Sequence, residues 1–169
     1  MSPSPVGLDA LWVAVEQIPV ARAIRATGQL FPWIESVHVL AITLVVGSIG
    51  IMDLRLLGIG SVDKPVSRIS QQVLPLTWGA FAVAVVTGSL LFMSSATTYA
   101  ANWPFRLKML CLLLAGLNML VFHTTTWKSA MVWDTHRQPP AAAKLQAGIS
   151  LGFWLCGIAF GRWIGFTAN

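Results

Sequence analysis

The chain has 169 residues, of which 56% are hydrophobic and 10% charged, and its mean hydropathy is +0.71. An average soluble domain carries about 25% charged residues, so this composition excludes a soluble globular protein and indicates membrane-spanning helices. The net charge of +5 comes from groups near predicted helix ends, as in proteins that face anionic headgroups. No basic stripe is interleaved with aromatic residues, so we expect the lipid bilayer as a partner and no nucleic acid.

The segment before the first long apolar run is mixed in character. Four charged residues interrupt its apolar sequence: Asp9, Glu16, Arg22 and Arg25. Pro19 would break a long helix there. We therefore predict two short helices in an interfacial amphipathic segment over residues 1–30, followed by a four-helix membrane domain over residues 31–169.

Four later segments are apolar over the length of about 20 residues that a spanning helix needs. They cover approximately residues 33–57, 74–94, 104–123 and 144–166. Pro32, Pro75 and Pro104 lie at the predicted starts of the first three, where a missing N–H costs little. The predicted fold class is therefore an all-α membrane protein, built as a four-transmembrane-helix bundle.

The linkers between the spans differ in charge. Basic residues lie in the first and third linkers, namely Lys64, Arg68, Lys128 and Arg137, and the second linker (95–103) has no charge. The positive-inside rule then predicts a membrane protein with these two linkers in the cytoplasm and both termini on the other side, which would be the periplasm in a bacterial inner membrane. We call that side the outer end and the linker side the inner end. In the third linker, His136 is expected to cap a turn.

The first span carries its polar and polarisable side chains on one face, about 160° wide at 100° per residue. They are Glu35, His38, Ser48, Met52, Asp53 and Arg55. Such groups usually face a bundle interior or a cavity. Two interpretations stay open near the inner end: Arg55 reaches the headgroups while Asp53 pairs with a base, or both belong to a site. His38 either bonds a neighbouring helix or serves as a ligand or proton-transfer group.

Depth in the membrane decides which of these groups can meet. At about 1.5 Å of rise per residue, His38 and His123 lie roughly 20 Å apart along the membrane normal. The two histidines therefore cannot bind one haem iron within a single subunit. At the inner level, Met52, Asp53 and His123 share a depth, which fits an Asp53–His123 hydrogen bond or a His/Met-ligated haem or copper ion.

Three sulfur-bearing residues share the outer half with His38. Met93, Cys111 and Cys156 would supply ligands for a soft metal, although buried thiols are commonly inert. Asn118 lies in the middle of the third span, where an amide usually holds helices together.

The fourth span contains two pairs of glycines spaced by four residues. Gly148 and Gly152 face one side of the helix, and Gly157 and Gly161 face the other, about 180° away. Small residues at this spacing allow close helix packing. We therefore expect this helix to pack on both sides, within the bundle or across a homo-oligomer.

Long stretches of the chain resemble an uncharacterised bacterial four-span integral-membrane family, a domain of unknown function. The runs that carry the resemblance are WIESVHVLAITLVVGSIGIMDLRLLG, NWPFRLKMLCLLLAGLNMLVFH, the WD at 133–134 and GRWI. The resemblance implies a site among the family's motif positions: Glu35, His38, Gly47, Ser48, Asp53, Arg55, Arg106, Lys108, Asn118 and His123. In architecture the chain is also loosely similar to the membrane units of copper-resistance D proteins and b-type cytochromes.

Together these observations favour a small inner-membrane subunit that holds haem b or interacts with quinone. It would act as an anchor or in electron transfer through His38 and His123, with a second copy or a membrane or periplasmic subunit as partner. A copper-handling or transport protein and a purely structural subunit are the alternatives. No nucleophile–base arrangement is recognisable, so we expect no catalytic activity of its own.

Overall fold

The computed structural model describes residues 7–60, 63–129, 134 and 139–167, and all of the regular secondary structure in them is helical. The helices are α1 (Leu8–Glu16), α2 (Pro19–Ala26), α3 (Leu30–Leu57), α4 (Val66–Ser94), α5 (Ala96–Ala101), α6 (Trp103–Val121) and α7 (Ala141–Thr167). A π-helical turn (Phe122–Thr126) and a 3-10 turn (Trp127–Ser129) extend α6. The predicted all-α fold is confirmed. The predictions for His136 and Arg137 lie outside the described residues.

Four of these helices are long and apolar enough to cross a membrane, as the sequence predicts. They are α3, α4, α6 with its π-helical turn, and α7, and their mean hydropathies range from 1.4 to 2.0. Large apolar side chains such as Leu40, Val86, Leu113 and Leu155 are 60–63% exposed. Outward-facing apolar side chains are stable where the surroundings are lipid. The chain is therefore a multi-pass membrane protein.

The second span is longer than the sequence predicts. Helix α4 begins at Val66, so Pro75 lies inside it and does not mark its start. Asp134 accepts hydrogen bonds from the backbone N–H and the hydroxyl of Ser67, in the first turn of this extension. A carboxylate at a helix N-terminus satisfies free N–H groups and is favoured by the helix dipole. These contacts stabilise a polar turn that hydropathy alone would leave out.

Helix α3 occupies the centre of the arrangement, because it packs against both α4 and α7, and α7 in turn packs against α6. The backbones of α4 and α6 do not pack closely against each other. These two helices meet near the outer end through the stacked rings of Phe92 and Phe105, whose centroids are 5.3 Å apart. We call this gap the α4–α6 seam.

At the inner end a small apolar core joins all four spans. Its buried members come from each of the four: Leu56, Val66, Phe122, Ala143 and Ala147. The side chains of Met52, Leu57 and Trp127 pack around it. This core fixes the relative depth of the helices, and therefore the depth of the polar groups above it.

Helices α1 and α2 dock on the outer ends of α4 and α5. The Glu16 carboxylate accepts hydrogen bonds from the backbone N–H and the hydroxyl of Thr97, at 2.8 and 2.7 Å. Arg25 donates to the carbonyl of Ser94 at 2.9 Å, and the ring of Trp12 packs edge-on against Phe92. Polar contacts therefore attach the N-terminal helices to the bundle.

This attachment should weaken in acid. Burial alone would raise the pKa of Glu16, but the two Thr97 hydrogen bonds and the charge of Arg25 outweigh it and lower that pKa. A lowered folded-state pKa stabilises the docked form above the ordinary value of 4.5, and this stabilisation is lost as the pH falls below it. We expect amide exchange in α1 to speed up in acid, and Glu16→Gln to speed it up already at neutral pH.

Asp9→Asn is the matched control, since Asp9 lies exposed in the same helix. Hydrogen exchange of α1 resolved by mass spectrometry measures the effect. Equal exchange in the Glu16→Gln and Asp9→Asn variants would contradict the attachment.

Candidate functional site

His38 lies in the outer half of α3 and turns toward α4. Its Nδ1 is 2.9 Å from the hydroxyl oxygen of Thr87, and that hydroxyl lies 2.7 Å from the carbonyl of Val83. Because the Thr87 proton is donated to that carbonyl, its oxygen accepts from His38 Nδ1–H. The ring also lies near the backbone carbonyl of Ala84, on the same helix. The ring is therefore oriented by α4.

The imidazole sits directly on Gly88, next to Thr87 in the sequence. A Cβ atom at position 88 would be 2.8 Å from His38 Cε1, closer than non-bonded atoms approach. Only glycine therefore leaves room for the ring in this position. The sequence of α3 does not reveal that Thr87 and Gly88 of α4 hold His38 in place. The signal in the sequence of α4 is a polar residue followed by a glycine at the depth of His38.

Lys108 reaches into the bundle from α6. Its Cδ, Cε and Nζ atoms lie 3.6, 3.7 and 3.8 Å from the position that a Cβ on Gly161 of α7 would take. Lys108 lies in the outer half of α6, as His38 lies in the outer half of α3. Lys108 makes no hydrogen bond or ion pair with the part of the chain that the structure describes. The result is a half-buried ammonium group without a counter-charge, which is costly inside a membrane unless a ligand or water accompanies it.

An aromatic cluster lies on the outer side of His38 and Lys108. Phe92 lies one turn beyond Gly88, and Phe105 one turn beyond Lys108, so their stacked rings close the seam above the site. Tyr99 of α5 packs against both rings. Burial, and next the negative charge of Glu35, raise the pKa of Tyr99, so its phenol keeps its proton at neutral pH.

The remaining polar groups of α3 are shared between its two neighbours. The hydroxyl oxygens of Ser48 and Thr77 on α4 are 2.8 Å apart, and Asp53 faces Ser150 on α7. Arg55 is only 5% exposed and donates from Nε to the carbonyl of Lys64 at 2.8 Å. Arg55 therefore does not extend to the headgroups, and Asp53 does not pair with it.

The structure does not bring together the predicted inner group of Met52, Asp53 and His123. His123 is exposed, and its Nδ1 bonds the carbonyl of Met119 in its own helix at 3.0 Å. Met52 packs in the apolar core. The reason is the π-helical turn, which turns Phe122 and Thr126 inward and leaves His123 outside. The Asp53–His123 hydrogen bond is not formed.

The sulfur-bearing residues of the outer half do not form a ligand set either. Cys156 is exposed and Cys111 is partly buried between α6 and α7. Within the described ranges, no three His, Cys, Asp or Glu side chains are close enough to share a metal ion.

Other predicted positions have packing roles in the structure. Asn118 donates to the carbonyl of Gln146 at 2.9 Å and so joins α6 to α7, while Arg106 is exposed and donates to the carbonyl of Ala100.

Gly157 receives Cys111 and Leu112 of α6, whereas nothing lies within 4 Å of a Cβ placed on Gly148 or Gly152. The two glycine pairs do face opposite sides, and only Gly157 and Gly161 pack within the bundle. Nothing lies within 4 Å of a Cβ placed on Gly47.

The fold and this intramembrane site define a small, all-helical, four-span membrane protein. The chain belongs to the family described as Family of unknown function (DUF6644), whose family model matches residues 14–167. That match covers nearly the whole chain and fits the four-span family that the sequence resembles. Comparison with curated proteins and with solved structures gave no match.

Proposed function

We propose that the protein is a membrane subunit that binds a quinone headgroup in the outer half of the bundle, between His38 and Lys108. The observation that carries the proposal is the pair itself. A half-buried ammonium group without a counter-charge in the described residues and an imidazole held in place by Thr87 and Gly88 lie at a similar depth, in the outer half of the bundle. Quinone carbonyls are hydrogen-bond acceptors, and a lysine also favours a reduced, anionic ring.

The α4–α6 seam supports the proposal as a route of entry. A quinone reaches its site from within the bilayer, so the site needs an opening toward lipid. The two helix backbones are not closely packed, and the Phe92–Phe105 stack is the contact between them near the outer end. The headgroup would lie under the aromatic rings while its apolar tail stays among the lipids.

Quinone fits these residues better than the other cofactors. A haem would need space around His38 and a second axial ligand, but the ring lies tightly on Gly88 and His123 is far from it. Copper handling would need a cluster of ligands, and the described residues offer none. Binding by an anchor or electron-transfer subunit is therefore the function that we favour.

We also propose the membrane in which this subunit lies, its orientation there and its contact with a partner. Lys64, Arg68 and Lys128 near the inner end support a cytoplasmic-membrane protein of bacterial type with both termini in the periplasm. The open Gly148–Gly152 face of α7 supports contact with a second copy or a partner subunit. The partner would supply or accept the electrons.

Removing the charge of Lys108 tests the proposal. We expect Lys108→Met to weaken binding of a short-chain quinone at least about tenfold, since a hydrogen bond from a charged donor contributes roughly 1.5–3 kcal/mol. Quenching of tryptophan fluorescence, with the protein in lipid nanodiscs, measures the affinity.

Arg106→Gln is the matched control, because it removes an exposed charge one turn away on the same helix. The proposal fails if the wild-type protein binds neither benzoquinones nor naphthoquinones, or if Lys108→Met binds them equally well. A Soret band in the purified protein that His38→Ala abolishes would instead favour haem.

A further inference from the structure

A second polar group in the bundle lies far from His38, in the inner half. Asp53 is four residues from the end of α3, and its residue surface is only 6% exposed. Its carboxyl group lies at the contact between α3 and α7, where it faces the hydroxyl of Ser150. Below it are Leu56 and Ala147 of the apolar core. Apart from this hydroxyl, the side chains of the core below it are apolar.

The carboxyl group of Asp53 is incompletely hydrogen-bonded. Its Oδ2 has no partner, and it is the one buried side-chain polar atom for which this holds among the described residues. Asp53 forms no ion pair with that part of the chain. The base nearest in sequence, Arg55, lies about 200° further round the helix and donates to the carbonyl of Lys64.

The charged groups on the helices packed against α3 are few. They are Arg22 and Arg25 on α2, Arg68 on α4, and Lys144 and Arg162 on α7. Arg22, Arg25 and Arg162 belong to the outer end. Arg68 is exposed at the inner end, and neither it nor Lys144 pairs with Asp53. No cation in the described structure therefore neutralises the carboxyl group.

An ionised carboxylate in such a place has a large desolvation cost, whereas a protonated carboxyl costs about as much as any other unpaired polar group. We propose that Asp53 is a proton-binding site that carries one proton in the resting protein as a neutral carboxylic acid. The site exchanges this proton with the aqueous phase at the inner end, one helical turn away. This inference is independent of the quinone proposal, since it concerns a different depth and different neighbours.

Infrared spectroscopy of the full chain in lipid nanodiscs tests the site. Exposed carboxyl groups are ionised at neutral pH, so we expect a C=O stretching band of a protonated carboxyl group from Asp53. The band should shift in D2O, as an exchangeable acid does, and it should be lost in Asp53→Asn. Ser150→Ala should keep the band but shift its frequency, because the neighbouring hydroxyl is removed.

Asn has the shape of the protonated acid, so Asp53→Asn should fold normally. If it does not, the frequency shift in Ser150→Ala decides the question. A wild-type spectrum without the band at neutral pH would overturn the proposal, as would a band that persists in a folded Asp53→Asn variant. Thermal stability that rises with sodium or potassium while the band is absent would also overturn it, and would identify a cation in place of the proton.

Discussion

Replacing Gly157 with leucine should push α6 away from α7 and lower the free energy of unfolding by about 2–3 kcal/mol. A Cβ at this buried position already reaches Cys111 and Leu112 at 4.0 Å, so the three further carbons of leucine have no space. The contact matters because α7 connects α6 to the rest of the bundle. Unfolding in mixed detergent micelles, followed by circular dichroism, measures the effect.

Gly148→Leu is the matched control on the same helix. Nothing lies within 4 Å of its Cβ position, so leucine there should meet no clash. We expect the free energy of unfolding to change only by the gain in helix propensity over glycine, to within about 0.5 kcal/mol. Because both substitutions share the propensity gain, their difference isolates packing. Equal stabilities of the two variants would contradict the packing of α6 on Gly157. A change in oligomeric state in Gly148→Leu alone would identify that face as a subunit contact.

Gly88→Ala should displace the imidazole of His38 and remove its hydrogen bond to Thr87, at a cost of about 1–2 kcal/mol in stability. The added methyl group would lie 2.8 Å from Cε1, so the ring must move. Quinone affinity should fall as well if the ring contributes to the proposed site. Chemical denaturation and the fluorescence binding measurement read the two effects separately.

A double-mutant cycle makes this prediction specific. In a His38→Ala background the clash is gone, so Gly88→Ala should cost nothing or stabilise the helix. Gly79→Ala is the control, since nothing lies within 4 Å of that position on the same helix. An equal cost of Gly88→Ala with and without the His38 side chain would show that the glycine serves something other than the imidazole.

The four spans could be predicted because apolar length is a signal that needs no knowledge of neighbours. Their boundaries were less predictable, as α4 shows. Its first turns are too polar for a hydropathy window, yet they are helical because Asp134, far away in sequence, binds Ser67. A boundary that depends on a distant side chain is not visible in the local sequence.

Part of the candidate site could likewise be predicted from the sequence, and part could not. The polar face of α3 was predictable from its own periodicity, and the separation of His38 from His123 followed from helical rise. The partners of that face were not predictable, since they depend on which helices are neighbours. The contact of the Lys108 side chain with Gly161, for example, depends on α6 and α7 being neighbours. The outward position of His123 requires a π-helical turn, and local propensity does not predict one.

The π-helical turn at Phe122–Thr126 has a further consequence for how relatives of this chain should be aligned. Such a turn accommodates one residue more than an α-helical turn, and here it allows Asn118 and Thr126 to bond the same residue, Gln146. A family member without the extra residue would have its histidine or threonines rotated by about 100° at the inner end. A one-residue gap in this segment would therefore mark a change of surface chemistry within the family, although every transmembrane helix is retained.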